Sequence, residues 1–353
     1  MKITPEIIMD IVAREFALTV NDIPAKFRKA PFPYFGGKSK IAGEVWARLG
    51  NPTQYVEPFC GSAAMLLANP SPASLEVIND MNFYIANFWR CIKFQPEATY
   101  IESDYPVSHV DLDARHVWLT NPERVAELRR KLADPEWEGD ARIAGWWVWG
   151  QCCWIASGWC EGNPTNESDA VESKIPHIGN AGIGIQSKIP HIGNAGNGVQ
   201  SKIPHIGNAG RGVLDWFQHL ASRLDRVRVL HGDWSRCLNS HYGDCNGGTA
   251  YFFDPPYLKY ESLYASGANK PVAAAVADWC KQNEKGHRIA LCGHRGDYNL
   301  PGWSILEWSR GRLTYGSKKN TDEECIWFSP DCIQPTTETQ GDMFDGDTGK
   351  MWG

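Results

Sequence analysis

The run Ala250-Tyr251-Phe252-Phe253 reads as a strand and leads directly into Asp254-Pro255-Pro256-Tyr257. In sheet enzymes, ligands bind outside the carboxyl ends of strands. Two consecutive prolines restrict the backbone there. The Asp254 carboxylate and the Pro255 carbonyl can therefore point at one spot. Such an acceptor pair suits an amino group with two N–H donors. Tyr257 adds a flat face on which a ring can stack. Alone, the same residues would also describe a proline-rich turn after a strand.

The motif is not alone. Val56-Glu57-Pro58-Phe59-Cys60-Gly61-Ser62-Ala63 is a second strand-to-turn sequence, with small residues leading into a helix. A glycine turn of this kind lets a ligand approach the backbone closely. Ile78-Asn79-Asp80 follows about one βα unit later and places an acid at a strand end. In nucleotide-type cofactor sites, an acid at that point accepts hydrogen bonds from ribose hydroxyls. Upstream, Tyr34-Phe35-Gly36-Gly37-Lys38 offers an aromatic ring, a flexible pair and a cation. Downstream, His231-Gly232-Asp233-Trp234 follows the strand-like Val227 to Leu230.

The elements that must position these residues alternate apolar strands, Gly-rich turns and helices, the pattern of an α/β sheet. Strands are expected at Gln54–Glu57, Leu75–Ile78, Ala250–Phe253, Arg288–Cys292 and Glu324–Phe328, with a helix beginning at Ala63. The spacing of Ile7, Ile8, Ile11, Val12 and Phe16 predicts a helical extension over residues 1–30. The catalytic domain is expected over residues 31–83 and 226–330. Between its halves, residues 84–225 read as an inserted target-recognition domain. The insertion includes one helix from Arg115 to Leu132 and a Trp-dense stretch around Trp146, Trp147, Trp149, Trp154 and Trp159.

Within the insertion, residues 173–213 contain a repeat with a period of 14. The unit Ser173-Lys174-Ile175-Pro176-His177-Ile178-Gly179-Asn180-Ala181-Gly182 recurs from Ser187 and from Ser201. Each unit has a proline and several glycines, which predicts extended pieces joined by turns rather than a helix. The repeat reads equally as an extended arm or as a neutral expanded insertion. As an arm it would offer Lys174, Lys188, Lys202 and Arg211 to DNA. Residues 331–353 are rich in Pro, Thr, Gly and Asp and read as a disordered acidic tail.

Composition narrows the class. Of 353 residues, 42% are hydrophobic and 16 are Trp, enough for a sizeable core. No apolar run is long enough to span a membrane, and the first residues lack a signal-peptide layout. The expected compartment is therefore the cytoplasm, here that of a bacterial host. Eleven Cys without paired spacing argue against a zinc site, so no metal is expected. The net charge of −6 is concentrated in the tail, which carries −4 of it. The remaining body is compatible with a phosphate-binding face.

Taken together, the four ordered motifs resemble the Dam-type, α-group DNA N6-adenine methyltransferases. Tyr34 to Lys38 is similar to that family's aromatic-x-Gly-Gly-Lys motif, and Glu57 to Gly61 to its cofactor motif. Asp80 is similar to its ribose-binding acid, and Asp254 to Tyr257 to its catalytic motif. The Gly-Asn-Ala-Gly repeat resembles bacteriophage and prophage members; it does not match the recognition hairpin of the Dam enzyme, so that enzyme's target sequence is not carried over. The resemblance implies a Rossmann-like sheet, S-adenosyl-L-methionine as cofactor and double-stranded DNA as partner. It implies that Tyr34, Lys38, Glu57, Pro58, Phe59, Gly61, Asp80, Asp233 and Asp254 bind the cofactor. Catalysis falls to Asp254, Pro255, Pro256 and Tyr257, acting on an adenine flipped out of the duplex. An N4-cytosine enzyme, which more often has Ser in place of Asp254, is the nearest alternative. Methylation of RNA or of a protein glutamine, and a DNA-binding protein without catalysis, also remain open. In the tail, Gln340, Met343 and Phe344 resemble peptides that dock on the bacterial sliding clamp.

Overall fold

The computed structural model describes residues 28–32, 34, 38–105, 108–134, 136–154, 159–160, 209–238, 248–256, 272–308 and 324–334. Most of the N-terminal extension, most of the repeat and most of the tail therefore lie outside the described residues, as do Gly36, Gly37, Tyr257, Gln340, Met343 and Phe344. The described strands form one sheet: β1 (Gln54–Glu57), β2 (Leu75–Asp80), β3 (Val227–His231), β4 (Thr249–Phe253), β5 (His287–His294), β6 (Ser304–Trp308) and β7 (Glu324–Phe328). Their order is β3-β2-β1-β4-β5-β7-β6. Strands β1 to β5 are parallel, while β7 runs antiparallel between β5 and β6. The chain progresses outward from β1 to β3, then returns to the other side of β1 as β4. That reversal opens a crevice between the carboxyl ends of β1 and β4, where an α/β sheet binds its ligand.

The five strands expected from the apolar runs are present, as is the run after residue 226. Strand β6 was not expected from the sequence. It is an edge strand whose alternate residues Ile305 and Glu307 are exposed, with Ile305 at 55%, so its apolar signal is diluted.

Among the described residues the helices are α1 (Ala42–Leu49), α2 (Ala64–Ala68), α3 (Phe83–Phe94), α4 (Pro96–Ser103), α5 (His109–Leu119), α6 (Pro122–Leu132), α7 (Ala141–Cys153), α8 (Ala209–Leu224) and α9 (Val272–Gln282). None of them is long and apolar enough to cross a membrane. Both faces of the central strands are buried, and the period of two along each strand decides which residue serves which face. Tyr55, Ala250, Phe252, Ala290, Cys292, Ile326 and Phe328 join one cluster. Trp46 of α1, Phe88 and Trp89 of α3, Trp147 and Trp149 of α7 and Phe217 of α8 complete it. Their neighbours Val56, Tyr251, Phe253, Ile289, Leu291, Cys325 and Trp327 face the other way, onto Val276 and Cys280 of α9.

Two local expectations are corrected. The single helix from Arg115 to Leu132 is two helices, α5 and α6. Asn121 accepts from the Arg124 N–H at 3.2 Å, and Pro122 stands at the first helical position. An Asn cap followed by Pro starts a helix and cannot continue one. The repeat also gives way to helix before its end, because α8 begins at Ala209 and includes Arg211. The two glycines in its first turn cost roughly 1 kcal/mol each. Val213, Trp216, Phe217, Leu220 and Leu224 are all buried on one side of α8, and that apolar burial offsets the cost. The helices of residues 84–225 thus share a continuous core with the sheet.

Helix α8 is also tied to β2 by charge. Arg223 bonds Glu76 at 2.5 and 2.9 Å and donates to the Leu66 carbonyl at 2.8 Å; Asn69 donates to the same carboxylate at 3.0 Å. Both charged side chains are almost fully buried, at 3% and 1% exposed. Removing one partner leaves a buried, uncompensated charge. Glu76→Gln is therefore expected to lower unfolding free energy by about 3–5 kcal/mol in denaturant titration; an unchanged midpoint would contradict this role.

Candidate active site

At the carboxyl end of β4 the strand stops at Phe253, and Asp254 emerges into the crevice. Lys38 reaches it from the turn before α1. Its ammonium donates to Oδ1 at 3.0 Å and to Oδ2 at 2.8 Å. The Lys38 side chain is 3% exposed and that of Asp254 20%. Ionised bonds of this length are strong ones. Burial works against the Lys38 ammonium, but Asp254, with Cys292 and Glu324, outweighs it and raises its pKa above the ordinary value. Burial, and after it the charge of Asp254, holds the Cys292 thiol well above its ordinary pKa. Pro255 is buried and Pro256 half-buried.

Beside this pair lies the turn after β1. Cys60 N–H donates to the Asn79 carbonyl at 2.9 Å, which pins the turn to β2. Asp80 closes it: one oxygen accepts from the Gly61 N–H and the other from the Asn82 N–H, both at 2.8 Å. The Trp89 indole donates to the Gly61 carbonyl at 2.9 Å. Gly61 has φ +45°, and a Cβ there would run into the Tyr34 ring. Only glycine satisfies both the backbone and the ring. Ala63 carries φ +50° without that freedom, so backbone strain is held at this turn. Tyr34 itself is 38% exposed.

Glu57 sits beneath the turn. It is 2% exposed, and its Oε2 accepts from the Tyr55 hydroxyl at 3.0 Å and from the Leu66 N–H of α2 at 3.1 Å. Pro58 and Phe59 follow it at the mouth, and the Phe59 ring stacks on Trp234 at 6.4 Å and 23°. Trp234 in turn meets Phe253 edge-on at 6.2 Å. Asp233 is exposed, and its Oδ1 accepts from the Ser235 N–H at 2.9 Å, which starts the short 3₁₀ turn Trp234–Leu238. Asn79 donates to the carbonyls of Pro58 and Gly232 at 3.0 and 2.9 Å and ties both loops together.

The structure therefore brings Tyr34, Lys38, Glu57, Pro58, Phe59, Gly61, Asp80, Asp254 and Pro255 to one edge of the sheet, with Asp233 at its margin. Lys174, Lys188 and Lys202 lie outside the described residues. Sequence reasoning overlooked three supports: Trp89, Asn79 and Trp234. Asn79 and Trp234 stood inside motif strings, next to the acids that drew attention. Trp89 gave no signal beyond being an aromatic residue in a helix.

The carboxyls at the ends of β1 and β2, Glu57 and Asp80, are displaced upward. Burial pushes Glu57 from 4.5 to about 8, against hydrogen bonds from Tyr55 and Leu66 that pull the other way. Burial likewise pushes Asp80 from 3.8 to about 6, against its two backbone N–H donors. A carboxyl with a raised pKa binds its proton more tightly in the folded state. Its contribution to stability is therefore complete below the unfolded value and is lost as pH rises through the folded one. Without ligand, the protein is expected to lose stability between about pH 4.5 and about pH 8. Glu57→Gln should remove much of that slope in thermal or denaturant unfolding. A slope unaltered by this substitution would contradict the assignment.

Comparison with known proteins follows the same residues. Residues 34–112 match the family model for D12 class N6 adenine-specific DNA methyltransferases. No curated protein matches the chain. Among solved structures, the rRNA methyltransferase aviRa from Streptomyces viridochromogenes is similar over 90% of this chain and 93% of its own, at 13% identity and a TM-score of 0.31. The matched segment begins at Tyr34 and spans Lys38, the Gly61 turn and Asp80, and the chain is an adenine-specific DNA methyltransferase that acts at N6.

Proposed function

We propose that the methyl donor is S-adenosyl-L-methionine and that the target adenine is flipped out of double-stranded DNA against Asp254. The observation that carries this reading is the Lys38 ammonium on both oxygens of Asp254. The crevice already holds a nitrogen-borne, proton-donating group at the end of β4. An exocyclic amine, which gains positive charge as it is methylated, calls on the same acceptors.

The residues present fit the cofactor. Asp80 uses one lone pair on each oxygen for a backbone N–H, so each oxygen can still accept from a ribose hydroxyl. Gly61 keeps the turn open to close approach, and Phe59, Trp234 and Tyr34 offer flat faces. Met81, 60% exposed directly after Asp80, adds an apolar surface. S-adenosyl-L-methionine, when bound, supplies a methyl group activated by its sulfonium. Glu57, turned into the protein, supports the turn from below. Asp233 shapes the loop that carries Trp234.

The chemistry left to the chain is orientation and charge. The adenine amine is a poor nucleophile because its lone pair is delocalised into the ring. N–H bonds to the Asp254 carboxylate and the Pro255 carbonyl favour its pyramidal form and strengthen as positive charge develops, so they stabilise the transition state more than the ground state. In-line placement completes the transfer. A stacked base cannot reach this crevice, and extruding it costs roughly a few kcal/mol. Tyr257, next along from Pro256, is the ring on which it would stack.

Dam-type membership and the phage-like character of the repeat belong to this reading, as does a role for residues 84–225 in target recognition. Lys174, Lys188, Lys202 and Arg211 would track DNA phosphates.

Two experiments test the reading. Asp254→Ala is expected to abolish methyl transfer to DNA while S-adenosyl-L-methionine binding stays measurable by calorimetry; retained turnover would sink it. Deleting residues 173–208 is expected to weaken binding to all DNA sequences alike and to lower the salt slope by roughly 0.9 for each phosphate that the arm had neutralised. Weakening confined to one sequence would show instead that the repeat reads bases.

A further inference from the structure

Arg124 is a cation at the unfavourable end of its helix. Pro122 opens α6, so Arg124 lies in the first turn. The peptide dipoles leave positive partial charge there, which disfavours a cation. The other cations of α6 obey the rule, since Arg129, Arg130 and Lys131 are in its last turn. No carboxylate compensates: among the described residues the Arg124 guanidinium makes neither an ion pair nor a hydrogen bond. What it has is a ring. It lies over Trp118 at 4.2 Å, and Trp118 is itself braced edge-on by Trp146 at 5.0 Å. A guanidinium held on a ring by its face keeps its N–H edge for an oxyanion.

Arg124 is exposed, and it lines a cavity of about 160 Å³ between α6 and α7. Trp118 and Trp137 supply rings, Arg124 and Lys131 two cations, and Glu127 and Asp140 two acids. Both acids are engaged. Asp140 caps α7 by accepting from the Ile143 N–H at 3.0 Å, and Glu127 holds Lys131 at 2.9 Å. The second pair is open to water, with side chains 44% and 50% exposed. Pairs of that kind hold weakly, so Lys131 can turn to another anion.

Helix α6 also flanks the crevice. Arg129 lies over the Phe83 ring at 4.7 Å, and Phe83 is the first residue of α3, just beyond the Asp80 turn. Arg124 is five residues away on the same helix, roughly 7.5 Å along its axis. We propose that Arg124, with Lys131, forms a seat for a backbone phosphate of the DNA that delivers its base to the crevice. This rests on the reading of double-stranded DNA as the partner. The Trp118 ring holds the guanidinium ready, so little side-chain freedom is lost on binding. A phosphate contact of this kind sets the position of the duplex and carries no sequence information.

The test measures the binding of a short DNA duplex by fluorescence anisotropy at several salt concentrations. It compares wild type, Arg124→Gln, Arg124→Lys and Lys285→Gln. Lys285 is exposed just before β5, at the opposite edge of the sheet, and controls for net charge. Arg124→Gln should raise Kd about tenfold on every sequence, the scale of one charge-assisted hydrogen bond. It should also lower the salt slope by about 1. Arg124→Lys should keep the slope, because the charge stays, and lose part of the affinity, because the planar fork is gone. Lys285→Gln should match wild type, and cofactor Kd should be unchanged throughout. A wild-type Kd and slope in Arg124→Gln would overturn the proposal. So would an equal loss in Lys285→Gln, or a loss confined to one sequence. An Arg124→Lys slope as low as that of Arg124→Gln would assign Arg124 to packing and overturn it too. Wild-type protein that binds no duplex would count against the DNA reading itself, and the seat would fall with it.

Discussion

The ion pair between Lys38 and Asp254 is the interaction on which the arrangement turns. Its two members come from residues 216 positions apart, and both oxygens of the acid are engaged. The pair needs the reversal of strand order between β1 and β4, which leaves an open crevice at the sheet's carboxyl edge. It needs β4 to be long enough to end at the crevice floor and the proline pair to stop it there. It also needs α1 to be docked so that the preceding turn carries Lys38 inward. Trp46 does much of that docking: its indole donates to the Met65 carbonyl at 2.9 Å, and its ring packs on Tyr55 of β1.

The neighbouring turn follows the same logic with different means. Asp80 is held at the end of β2 by backbone donors, and the Gly61 turn is held by Asp80 and Trp89. The raised pKa of Glu57 and of Asp80 shows that burial at this edge outweighs the hydrogen bonds each acid receives. Such displaced acids cluster where a protein gives up stability for a site. The cost is met elsewhere, by a core that runs without interruption from the sheet through α3, α7 and α8.

Much of this was legible in the sequence because the responsible signals are local. Val56 to Ala63 and Phe252 to Tyr257 each join an apolar strand to a turn of fixed chemistry, and that combination marks a strand's functional end. The expected strands appear for the same reason: strands buried on both faces are near-continuous apolar runs. What escaped depends on partners far away in sequence. Strand β6 is half-exposed and is held by its pairing with β7. The Gly-rich start of α8 is helical because of the face it buries on α3 and α4. Glu57 looked like a ligand because it stands in a motif, and only Tyr55 and the start of α2 reveal where its carboxylate turns.

The central claim is that this edge of the sheet methylates adenine N6 in DNA. The most direct measurement is to express the protein in a bacterial host free of DNA methylation and to identify modified bases in its genomic DNA. The account predicts N6-methyladenine, at a short recurring sequence that would also define the recognition site. N4-methylcytosine, or unmodified DNA from folded protein that binds S-adenosyl-L-methionine, would contradict it.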